Sequence, residues 1–169
     1  MAMTNSATAD SVCKHQHVMS EINIGPIHLG MNIRDIRKIG YEIKLQRSSY
    51  EGVEYELYEL NLGCDGLVIF VYPNQVGNTY KLSTSSKCFA LSNRLSVGVT
   101  LNALKKHYPN GKLVASDDAY KFNWILPDYQ GVFVFDASPF LDRCKKNYST
   151  CADYLGDESS TEFFIFRVD

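Results

Sequence analysis

No stretch of this 169-residue chain approaches the roughly 20 consecutive apolar residues that span a bilayer. The longest apolar runs, at 67–72 and 132–135, have the length of strands, so no membrane-spanning segment is expected. An excess of one charge is missing too: 17 Lys+Arg stand against 19 Asp+Glu, a net charge of -2. Such a balance gives no general field for nucleic acid or anionic lipid, and neither is expected as a partner. The five cysteines, Cys13, Cys64, Cys88, Cys144 and Cys151, form no C-x-x-C pair, which argues against a structural zinc held through sulfur. There is no G-x-S-x-G elbow, and the serines gather at 83–86 and 159–160 in loop-like company. There is no glycine-rich phosphate loop either; Gly63 and Gly66 punctuate a turn around Cys64.

The remaining candidates for chemistry are thin. His15 and His17, with Cys13, lack an evident fourth metal ligand, and His28 and His107 read as surface or core-edge residues. Glu54 and Glu56 share one face of a strand pattern while Tyr55 and Leu57 take the other, which is the alternation of a solvated face. Asp117, Asp118 and Asp128 lack the spaced pattern of a calcium loop and read as turn-forming acids. The expectation is a protein that is not an enzyme, with no catalytic residues, no metal and no cofactor.

What the chain does have is an internal echo. Around Gly30 and again around Gly98, 68 residues later, two alternating apolar residues run into a glycine, then a capping residue, Asn32 or Thr100, then a short apolar-faced stretch. Glycine permits the turn, and the Asn or Thr side chain accepts from the free N–H groups of a helix start. Asp35 is placed to complete a capping box with Asn32, a pattern that Ala103 breaks in the second copy. Apolar faces follow at Ile33, Ile36 and Ile39 and at Leu101, Leu104 and Tyr108, with Gly40 and Pro109-Asn110-Gly111 as stops. Strand patterns then occupy 41–46, 53–62, 67–72 and 80–83 in the first half and 112–116, 120–126, 131–136 and 162–168 in the second. The spacing predicts an α+β fold: a loose N-terminal segment, 1–17, then one domain, 18–169, of two tandem helix-plus-antiparallel-sheet repeats, about 18–90 and 91–169. Each helix would cover one face of its sheet and leave the other face to pack on its twin or meet a partner.

Cysteine bears on the compartment. Cys144 and Cys151 flank a polar stretch, 145–150, that has the look of a disulfide-closed surface loop, and a Cys64–Cys88 bridge is reasonable between a turn and a strand, leaving Cys13 odd. The first ten residues are small and polar, with neither the basic region nor the apolar core of an export signal. Two readings stand: a mature periplasmic or secreted chain with disulfides, or a cytosolic protein with buried thiols.

The pattern I-G-P-I-x-L-G-M-x-hydrophobic at 24–33, followed by V-G-x-T with a downstream Y-P between 95 and 109, resembles a broad group of small bacterial secreted or envelope proteins. The chain is similar in this to the tandem helix-and-sheet repeats of proteinaceous β-lactamase inhibitors and of small outer-membrane assembly lipoproteins. The resemblance covers most of 22–136 and implies an exported protein without a catalytic centre. Two departures are plain: Asp10-Ser11-Val12 before Cys13 is no lipid-attachment box, and the cysteine-closed segment after Phe140 is extra to the pattern.

Eleven tyrosines, nine phenylalanines and one tryptophan are more than a core of this size requires. Tyrosine couples contact area to a polar tip and suits protein interfaces. The sequence therefore points to a protein partner, a toxin or another enzyme, met by Tyr50, Tyr129 and Tyr148, with Asp117, Asp118 and Asp128 adding negative charge that steers a basic surface. The function this suggests is binding and neutralising another protein, with immunity to a bacterial effector as the concrete form. An envelope housekeeping or assembly module using an exposed sheet face is the second reading, and a small hydrolase the third.

Overall fold

A computed structural model of the chain describes residues 17–50, 52–62, 67–117, 120–127, 131–144 and 148–167; the side chains of Tyr50, Tyr148 and Ser149 fall outside that description. The architecture is mixed α+β and is organised around one eight-stranded antiparallel sheet.

Two short helices begin where the capping residues stand. Helix α1 spans Ile33–Lys38, with the Asn32 side chain accepting from the Arg34 N–H, and α2 spans Leu101–His107, with Thr100 accepting from the Ala103 N–H. The capping box expected from Asp35 does not form. Its carboxylate turns instead to Lys38 at 2.7 Å, one turn further along the exposed surface. Ile33, Ile36, Leu101 and Leu104 are buried, and each fully buried aliphatic side chain contributes roughly 1.5–3 kcal/mol relative to exposure. Ile39, read as part of the apolar face, is exposed, because α1 ends at Lys38 before that position turns inward.

Four strands of the large sheet follow each helix. After α1 come β4 (Glu42–Tyr50), β5 (Val53–Asn61), β6 (Val68–Pro73) and β7 (Thr79–Thr84); after α2 come β9 (Lys112–Ala115), β10 (Lys121–Ile125), β11 (Gly131–Asp136) and β12 (Glu162–Phe166). The sheet order β4-β5-β6-β7-β12-β11-β10-β9 places the two meanders side by side, joined through their last strands. Three two-residue strands precede α1, β1 (His17–Val18), β2 (Asn23–Ile24) and β3 (Ile27–His28), and β8 (Phe89–Ala90) pairs in parallel with β1.

The turn before each helix is tied to the start of its own fourth strand by the same bonds. The Gly30 N–H donates to Thr79 O at 2.7 Å and the Gly98 N–H to Ser160 O at 3.0 Å; in return Thr79 N–H reaches Met31 O at 2.9 Å and Ser160 N–H reaches Val99 O at 2.8 Å. Both glycines hold positive φ, 83° and 94°, a conformation that L side chains rarely adopt. The glycines lie 68 residues apart and their partners 81 apart, so the second half carries 13 additional residues between its turn and its fourth strand. The excess arises in the long connection from β11 to β12, 137–161, offset in part by shorter spacing before it; this connection holds the 3-10 turns Ser138–Phe140 and Ala152–Tyr154 and the one-turn helix α3 (Tyr148–Cys151).

Alternation sorts the sheet residues cleanly. Leu60, Ile69, Val71, Leu82, Ile165, Phe163, Phe133, Phe135, Phe122 and Trp124 point to one side and join the core with both helices, the short N-terminal strands and the β11–β12 connection. The Cys144–Cys151 bridge forms, with Cα atoms 5.0 Å apart. It is not the purely solvated loop that the polar sequence suggested: both sulfurs belong to this core, at 3% and 2% exposure, because Phe140, Leu141 and Leu155 fold the connection down onto it. Cys88 is also disulfide-bonded, while its expected partner Cys64, like Cys13, lies outside the described residues.

Candidate functional site

Because every described covering element packs on one side, the opposite face of the sheet has no described element packed across it. The strand registers show what that face displays. One transverse row runs Ile125, Val132, Phe164, Ser83, Phe70 across five neighbouring strands, and the adjacent row runs Phe166, Lys81, Tyr72. Leu57 and Tyr55 of β5 lie on the same side, two residues apart. The face is rich in rings: Phe164 and Phe166 have centroids 6.0 Å apart, Tyr55 and Tyr72 6.4 Å apart. The Lys81 ammonium lies between two of them, 4.8 Å from the Tyr72 centroid and 4.5 Å from that of Phe164. Toward the β9 edge the face carries Val114, 45% exposed, and Ile125, 38% exposed, beside Asn123 and Lys112.

A trough of about 420 Å³ opens in the middle of this face, over Leu57 and Phe70 and bordered by Tyr72, Ser83, Ser85 and Glu162. The Ser83 side chain on the neighbouring strand offers the Tyr72 hydroxyl a hydrogen bond. Burial holds its pKa above the ordinary tyrosine value; the Ser83 bond works against that rise and the Glu162 carboxylate adds to it. Glu162 itself is half-buried, and among the described residues it has no ion-pair partner.

The pairing of β7 with β12 is symmetric about one residue pair. Ser83 faces Phe164, with Leu82 facing Ile165 on one side and Thr84 facing Phe163 on the other. By the same 81-residue correspondence that relates Thr79 to Ser160, Lys81 and Glu162 hold matching places on opposite sides of this pair. From the strand geometry their Cα atoms are roughly 14 Å apart. Lys81 is covered by rings; at the matching place, Glu162 has Val134 as its cross-strand neighbour on β11.

The residues singled out from sequence are distributed differently. Tyr50 ends β4 at one edge of the sheet, whereas Asp117 is exposed in the turn after β9 at the other edge, so the two do not form one patch. With seven strand spacings between those edges, they stand roughly 30 Å or more apart. Tyr148 opens α3, in the connection that packs on the covered side. Asp118, Asp128 and Tyr129 lie outside the described residues. Tyr58 is a core residue, with Arg37 5.7 Å from its ring centroid, and Tyr154 stacks on Phe140. Glu54 and Glu56 do share the face opposite Tyr55, and Arg47 bonds Glu56 at 3.4 Å. Among the described residues no group of His, Cys, Asp and Glu could hold a metal, and no helix is long and apolar enough to cross a membrane. Glu162, Phe70 and Phe164 were missed; the alternation at 68–73 and 162–166 marks two faces, but nothing local says which one goes uncovered.

No family model matches the chain, and no curated protein matches it. Among solved structures, it is similar to the crystal structure of the uncharacterized protein yfeY from Escherichia coli. The two are 11% identical, and the match covers 90% of this chain and 99% of that one with a TM-score of 0.65. At that identity the likeness is one of fold.

Proposed function

We propose that this chain is an exported, non-enzymatic protein that binds and neutralises another protein, with immunity to a bacterial effector toxin as its concrete form. The observation that carries the reading is the open sheet face. Half-buried Phe70, Tyr72, Phe164 and Phe166 and exposed Val114 and Ile125 share one surface across which no described element packs, and aromatic and apolar side chains gathered on one surface mark an interaction site. The loops named from sequence are replaced in this role by the face itself. The buried Cys144–Cys151 bridge supports a periplasmic or secreted location, since such bonds persist in oxidising compartments. The two helix-and-meander halves are read as copies of one unit, on the strength of the matched glycine turns, caps and bonds to the fourth strand. This agrees with the resemblance to small exported bacterial repeat proteins.

The test compares the wild-type chain with Ile125→Arg, a change at an exposed position of the face, as immobilised baits for the envelope and medium fractions of the source organism. The expected result is a protein held by the wild type, released by Ile125→Arg with at least about tenfold weaker affinity, whose own activity the wild type suppresses at stoichiometric ratio. Equal capture by both baits, or a captured protein whose activity is untouched, overturns the proposal.

A further inference from the structure

We infer that the trough between Tyr72 and Glu162 is a socket for a single arginine side chain of the bound protein. This rests on the open face being the binding surface, and it names what that surface selects.

The argument begins with the carboxylate. Glu162 is half-buried on a strand in the middle of an eight-stranded sheet, where it has lost part of its hydration, and no described cation pairs with it. A partly dehydrated carboxylate gains from a cation that reaches it with good hydrogen-bond geometry. The matching position in the first half shows the contrast: Lys81 is already accommodated between the rings of Tyr72 and Phe164, whereas Glu162 has only Val134 across the strand pair. The Lys81 and Glu162 Cα atoms are roughly 14 Å apart along the sheet, and among the described residues no ion pair joins the two side chains.

The lining supplies the rest of the recognition. Ser83, Ser85 and Thr161 carry hydroxyl oxygens able to accept hydrogen bonds, and Phe70 and Leu57 make an apolar floor. Glu162 places a carboxylate at this end of the trough; burial raises the Tyr72 pKa, and the Glu162 charge adds to that rise. The volume of about 420 Å³ leaves ample room for one long side chain. Guanidinium fits more of these features than ammonium: it is planar, stacks on an aromatic face, and spreads five donors over a carboxylate and neighbouring hydroxyls, while remaining weakly hydrated.

The probe is the peptide acetyl-Ala-Ala-Arg-Ala-Ala-amide, titrated into the isotope-labelled full chain and followed by amide shifts. Its control carries citrulline, which keeps the arginine shape without the charge. The arginine peptide is expected to move the amides of Phe70, Tyr72, Ser83 and Glu162 with millimolar affinity, and the citrulline peptide to bind at least about tenfold more weakly. Glu162→Gln is expected to erase that difference, and raising salt to narrow it. Equal shifts from both peptides, or shifts confined to other residues, overturn the socket; the citrulline comparison needs no variant and so stands even if Glu162→Gln misfolds. The two readings fail separately. A protein captured through Ile125 but indifferent to Glu162→Gln removes the socket and leaves the binding face, whereas arginine-peptide binding through Glu162 with equal capture by the two baits keeps the socket and removes the neutralising role.

Discussion

Removing the Cys144–Cys151 bridge tests the link between the additional segment of the second half and the core. The bridge spans a sequence separation of 7, and closing so short a loop removes about 2.4 kcal/mol of unfolded-state freedom at 25 °C by the chain-entropy relation. Both cysteines are packed in the core, at 3% and 2% exposure. In the double variant Cys144→Ala/Cys151→Ala each lost sulfur is comparable to a buried methylene, so packing adds about 1.5 kcal/mol more. A 169-residue chain unfolds with an entropy of about 350 cal/mol/K near its midpoint, so the loop contribution alone lowers Tm by about 7 °C and the sum by about 11 °C. Scanning calorimetry of the variant against the wild type reads this directly. Tryptic digestion of the unreduced wild type supplies the covalent control, since cleavage at Lys145 and Lys146 leaves the Cys144 and Cys151 peptides joined until a reductant is added. A Tm within about 2 °C of wild type, with the bridge intact in the parent, would refute the reasoning: the loop would then be as constrained in the unfolded chain as in the folded one.

The caps, the core and the face each give a further expectation. Thr100→Ala removes one capping acceptor and should cost about 1 kcal/mol, while Asn32→Ala should cost about 2 kcal/mol, because Asn32 also donates to Asn78 Oδ1 at 2.9 Å; urea melts with unchanged slope check both. Gly111→Ala should cost about 1–3 kcal/mol and shift the emission of the single tryptophan, since a Cβ there would sit 2.4 Å from the buried Trp124 ring; a second change, Trp124→Phe, should recover part of the loss. Stability should fall as pH climbs above about 10, because the unfolded chain gives up the Tyr72 proton before the folded one does. That contribution is complete below the unfolded pKa and is lost as pH rises through the folded one, so Tyr72→Phe should flatten this part of an alkaline denaturation profile.

Local chemistry determined the elements. Asn32 and Thr100 announced helix starts, because a cap is decided by its own turn, and the alternating runs at 53–62, 67–72 and 131–136 announced strands, because side chains of a strand must point alternately to two sides. The bridge between Cys144 and Cys151 was legible for the same reason, being closed within eight residues. Asp35 shows where local reading gave out: two bonds were open to it, and Lys38 on the exposed surface took the carboxylate. The binding face lay further out of reach. Ser83 and Phe164 are 81 residues apart, and their pairing joins the two meanders into one sheet. Only that pairing set Tyr72, Ser83 and Glu162 around one trough, and only the packing of both helices and the β11–β12 connection on one side left the other face with no described element across it. An alternating strand specifies that it has two faces; which of them is covered depends on where the rest of the chain packs, and that is a property of the assembled structure.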